Sequence, residues 1–150
     1  MELDRFVIWA VAVSLVAGLG IGIMLWAYRG SGSTAVLFAE AVPLATALEA
    51  DRTGNKAKES FEKGCEAFNR GNYQQARDRF TQAIGQLEDL PEAYHNRGLC
   101  WANLRQDDDA AVNLVRASEL YAQSDNPDAI AQIKQQLEAI KARKLARERK

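Results

Sequence analysis

The chain has 150 residues, 47% of them hydrophobic, with nineteen basic against twenty acidic side chains and a single histidine. That length holds one domain of ordinary size. The near balance of charge supplies no global field with which to hold nucleic acid.

Taken in chain order, residues 6–28 read FVIWAVAVSLVAGLGIGIMLWAY, without a charge. As a helix this run would be roughly 34 Å long, enough to cross a hydrocarbon core of about 30 Å. Trp9 lies near one end and Trp26 with Tyr28 near the other, where amphipathic rings suit the headgroup level. The run is too long for the apolar part of a cleaved leader, and the preceding MELDR is not basic. Residues 1–29 are therefore expected to hold one retained transmembrane helix. Within it Ala10, Ser14, Gly18 and Gly22 recur at every fourth position, a stripe of small residues along which another helix can pack. Whether that helix belongs to a second copy or to a foreign protein is left open by the sequence. Arg29, Arg52, Lys56 and Lys58 on the C-terminal side outnumber Arg5 on the other, which places the rest of the chain on the cytoplasmic side.

Residues 30–56 read as a linker. GSGS at 30–33 is a flexible joint. The following TAVLFAEAVPLATALEAD is apolar enough to bury, with Ser33 or Thr34 to cap a short helix and Pro43 to break or kink it. Two settings stay open for that helix: packed on the first repeat, or lying on the bilayer surface. DRTGN at 51–55 closes the linker.

From residue 57 to 121 the chain says the same thing twice. Gly64 recurs as Gly98, Ala76 as Ala110, Phe80 as Leu114 and Ala83 as Ala117, each pair at the same interval. A fixed period of this length, about 34 residues, marks a helical repeat whose unit is two antiparallel helices. Small residues belong where helix axes approach, and bulky ones fill the adjoining hole. Turns are expected at Gly71-Asn72 and at Gln106-Asp107-Asp108. These positions resemble the tetratricopeptide repeat (TPR) family, whose pattern is W-x2-L-G-x2-Y, then A-x3-F, then A, then P. The second unit offers Tyr94, Gly98 and Trp101 with Arg97 in place of Leu, followed by Ala110, Leu114 and Ala117. The first keeps Gly64, Ala76, Phe80 and Ala83, but departs from the pattern at Ser60, Lys63 and Ala67. The units are set at 57–90 and 91–124.

Residues 125–150 are expected to form a capping helix with a basic tail. Asn126-Pro127 is a helix start, and Ile130, Ile133, Leu137 and Ile140 make one apolar face. KARKLARERK at the end carries six basic groups, either as a solvated helix end or as a contact for anionic lipid or an acidic partner. The fold class is thus all-α: a transmembrane helix, two TPR hairpins and a cap.

No phosphate-binding glycine loop or cluster of metal ligands is visible, so neither an enzyme nor a cofactor is expected, and Cys65 and Cys100 read as small hydrophobes. The resemblance implies instead a concave groove lined by the first helix of each unit, which takes peptides or protein segments. Carried over by alignment, Lys58, Phe61, Cys65 and Asn69 would face it, then Glu92, His95, Leu99 and Asn103, with Asn96 beside them. By layout alone, one membrane helix followed by TPR units also resembles photosystem assembly factors of cyanobacteria and plastids, in thylakoid membranes. The expected function is a membrane-tethered adaptor that binds protein partners during assembly of a membrane complex. The alternative is a permanent small subunit held by its transmembrane stripe.

Overall fold

The computed structural model describes residues 36–45 and 52–149, all within one compact unit, Val36–Lys150. The expected span at 6–28 and its stripe, Ala10, Ser14, Gly18 and Gly22, lie outside the described residues. Among the described residues no helix is long and apolar enough to cross a membrane.

The described residues are helical apart from one open stretch and the turns. The helices are α1 (Arg52–Asn69), α2 (Tyr73–Gln86), α3 (Pro91–Asn103), α4 (Asp107–Gln123) and α5 (Pro127–Glu148). Each packs on the next, α1 with α2, α2 with α3, α3 with α4 and α4 with α5, in repeat-like fashion. The reason is amphipathic spacing. In α1, Ala57, Phe61, Gly64 and Phe68 are buried at steps of four, three and four, and α2 buries Ala76, Phe80, Ala83 and Ile84.

The residues that recur at the repeat period make the same contact twice. A Cβ on Gly64 would lie 2.6 Å from Phe80 Cε1, and one on Gly98 would lie 3.0 Å from Leu114 Cγ. Phe80 and Leu114 are wholly buried, as are Ala76, Ala83, Ala110 and Ala117. A bare backbone on one helix therefore receives the bulky side chain of its neighbour. Phe61 holds Phe80 edge-on, with ring centroids 5.4 Å apart. Arg97, where the repeat pattern has Leu, is half-buried, donates to Asn113 Oδ1 at 2.7 Å on α4 and sits over the Tyr94 ring.

The turns also repeat. Gly71 has φ +78° and Arg105, its counterpart in the second unit, has φ 63°. In both, the next residue's N–H reaches back five positions, from Asn72 to Ala67 and from Gln106 to Trp101, closing the helix end. The second turn therefore lies at 104–106 rather than at Gln106–Asp108, because α4 starts at Asp107. Its first turn carries Asp107, Asp108 and Asp109, which favour a helix N-terminus. The expected linker DRTGN is helical from Arg52 onward.

Helix α5 starts as expected. Asn126 accepts from the Ala129 N–H at 3.1 Å, and Pro127 follows. It buries Ile133, Gln136 and Ile140. Three of the tail's six basic groups pair with the start of α4: Arg143, the one that is largely buried, and the exposed Arg147 both bond Asp107, and the exposed Lys144 bonds Asp108 at 2.9 Å on the surface.

The largest departure is at residues 36–45, where no helix forms. The stretch is open chain with bends at Leu37 and Glu40. Leu37, Phe38, Ala41, Val42 and Leu44 pack against the core.

Candidate functional site

Helix α3 is buried almost all round, including three polar side chains, Glu92, His95 and Asn96, each no more than 1% exposed. Buried polar groups need partners, and these three find them in two directions. Glu92 and Asn96 face the open stretch, whereas His95 faces α5.

On the first side, asparagines bond the main chain of residues 37–45. Asn96 Oδ1 accepts from the Val42 N–H at 2.7 Å, and Asn96 Nδ2 donates to the Val42 carbonyl at 2.8 Å. Asn103 does the same one level along: its Oδ1 accepts from the N–H groups of Leu37 and Phe38, both at 3.1 Å, and its Nδ2 donates to the Phe38 carbonyl at 2.8 Å. Asn69, which holds the place of Asn103 in the first unit, accepts from the Ala41 N–H at 3.4 Å. Glu92 accepts from the Ala45 N–H at 3.1 Å. Spacings of four and seven put Glu92, Asn96 and Asn103 on one face of α3, and the open stretch runs along that face from the helix's C-terminal end to its N-terminal end. Every one of these bonds goes to backbone, so the face reads a main chain rather than a sequence. Pro43 fits the same scheme: it has no N–H to satisfy, and it biases Val42 away from helical geometry.

The apolar side chains supply the rest. A cleft of about 410 Å³ beside the stretch is lined by Pro43, Leu44, Phe61, Glu62, Cys65, Glu66 and Asn69. Of the residues placed on the groove from the sequence, Asn69, Glu92, Asn96 and Asn103 touch the open stretch, and Phe61 and Cys65 line the cleft. Leu99 is core, 1% exposed. Lys58 is exposed and faces Glu62 at 4.0 Å on its own helix.

His95 lies away from the groove. Its Nε2 donates to Gln136 Oε1 of α5 at 2.6 Å, its ring meets Tyr121 edge-on, and its Nδ1 has no hydrogen-bond partner among the described residues. Burial lowers its pKa, against the opposing pull of Gln136 and Glu92. Burial pushes both cysteine thiols up, that of Cys65 to about 11, so both stay protonated and unreactive at neutral pH. Among the described residues no group of three or more His, Cys, Asp or Glu side chains is placed to hold a metal ion.

Two features had no reading in the sequence, the Gln136 partner of His95 and the ion pairs of Asp107, and the stretch at 36–45, expected as a short helix, is open chain instead. One signal was present, the recurrence of Asn69 as Asn103 at the repeat period. No family model matches the chain, and no curated protein or solved structure matches it either.

Proposed function

We propose that this protein is a membrane-tethered adaptor of TPR type, which holds an open segment of a protein partner in the groove along α3 and serves in assembly of a membrane complex. The observation that carries the reading is the pair of asparagine clasps. Asn96 and Asn103 each satisfy an N–H and a C=O of one residue of an open chain. A helix face that does this recognises a peptide in the way a sheet edge does, with affinity from the main chain and selectivity from apolar contacts. The tether is read from the uncharged run at 6–28, whose length suits a bilayer.

A second reading has its own support. Because the groove already holds residues 36–45, a permanent subunit could use the clasps only to fix its own chain, and would join its complex through Ala10, Ser14, Gly18 and Gly22. Affinity capture from gently solubilised membranes separates the two. The adaptor loses its partner when Asn96 and Asn103 become Ala, and keeps it when Gly18 and Gly22 become Leu. The opposite pattern identifies the permanent subunit.

A further inference from the structure

We infer that residues 36–45 are a tethered competitor for the groove, and that the partner they compete with presents an open segment of the same chemistry: uncharged where it meets the groove, with small residues between apolar anchors. The inference rests on the groove reading above and adds what the groove takes and what keeps it closed.

Three observations carry it. First, the occupant is held as a ligand is held. The hydrogen bonds that Asn69, Glu92, Asn96 and Asn103 make to residues 37–45 go to main-chain groups, which any open segment can reproduce. Second, the occupant lies shallow. None of residues 36–45 is fully buried, and Val36, Ala39, Glu40, Pro43 and Ala45 are exposed, whereas Asn96, Phe61 and Leu99 beneath them are buried. Removing the occupant would uncover a preformed polar and apolar floor without opening the helix pairs, since Gly64–Phe80 and Gly98–Leu114 hold those from within. Third, the occupant's pattern is specific enough to define a class. Leu37-Phe38, Val42 and Leu44 pack on the core, small Ala39, Ala41 and Ala45 lie between and beside them, and the single charge, Glu40, is exposed.

The tether makes the competition effective. Only six residues separate Ala45 from Arg52 at the start of α1. A short link of this kind gives an effective concentration in the millimolar range. For a segment whose own affinity is on the order of 0.1 mM, an outside ligand is weakened about tenfold. An outside segment then wins by a better anchor or by being delivered close to the groove.

The test uses the full-length protein in detergent micelles and a fluorescein-labelled peptide copying residues 36–45 as the probe. Val42→Pro removes the amide that Asn96 holds, and Phe38→Glu independently spoils an apolar anchor. Far-UV circular dichroism confirms that each variant keeps its helices. Both variants should bind the probe about tenfold more tightly than the unmodified protein does, with the gain lost when Asn96→Ala and Asn103→Ala are added. Equal affinity for the unmodified protein and both variants overturns the competition while leaving a peptide-binding groove in place. No binding to any folded variant overturns the groove reading together with the inference.

Discussion

Asn96 holds both main-chain polar groups of Val42, accepting from its N–H at 2.7 Å and donating to its C=O at 2.8 Å. The Asn96 side chain is wholly buried in this arrangement, so its two bonds to Val42 are made out of water. Asn96→Ala should leave both Val42 groups without that partner and weaken the hold on residues 36–45 by about 1–3 kcal/mol. Asn96→Asp should do at least as much harm, because it keeps the acceptor, loses the donor and sets a carboxylate against the Val42 carbonyl. Amide exchange at Val42 measures both: it should rise in each variant while exchange in α2 and α4 stays unchanged.

The repeat core makes a second prediction. Gly64 lies against a Phe80 ring that is buried and held by Phe61. Gly64→Ala should overpack this contact and cost about 1–3 kcal/mol in thermal unfolding. Adding Phe80→Leu should return part of the loss, because Leu114 in the second unit leaves Gly98 a wider clearance. Strictly additive losses in the double variant would show that the two positions are not coupled.

Much of this core was legible in the sequence because its contacts recur at a fixed period and each helix carries its own apolar stripe. The pairs Gly64/Gly98 and Phe80/Leu114, and the Asn126-Pro127 helix start, needed only local rules. Residues 36–45 were not legible in that way. Their apolar run with Ala and Leu reads locally as helix, but their main-chain partners are side chains 28 to 66 residues away, which no local pattern displays. The phase of His95 in the repeat points to the groove. It lies off the groove because the added helix α5 brings Gln136 to its other side. The turn at Arg105 is hidden in the sequence because its left-handed residue is not a glycine, although its counterpart one repeat earlier is Gly71.

His95 gives the fold a pH dependence. Burial lowers its pKa below the ordinary 6.5, so the unfolded chain takes up a proton more readily than the folded one as pH falls through 6.5. Stability should therefore decline from pH 7.5 through 6.5 and level off below the folded-state pKa. In His95→Gln the melting temperature should be flatter over the same window. A melting temperature that rises on acidification through 6.5 would contradict the burial of this ring.

The cap is tied down by a charge. Asp107, 6% exposed at its side chain, bonds Arg143, itself 14% exposed, and also Arg147. Removing one partner of such a pair leaves charge buried without its full compensation. Arg143→Met should destabilise α5 by about 1–3 kcal/mol, reduced from the full cost of an orphaned charge because Arg147 remains. Hydrogen exchange over residues 133–148 should show the loss there first, with α1 and α2 little affected.

The central claim, that the chain's own open segment fills the groove, is tested most directly by residue-resolved amide exchange in the full-length protein. Leu37, Phe38, Val42 and Ala45 donate to Asn103, Asn96 and Glu92, while Ala39 and Glu40 donate to none of these side chains. Protection should alternate accordingly, with Phe38 and Val42 exchanging at least tenfold more slowly than Ala39 and Glu40, and with the contrast lost in Asn96→Ala/Asn103→Ala. Uniform, unprotected exchange across residues 36–45 would contradict the account.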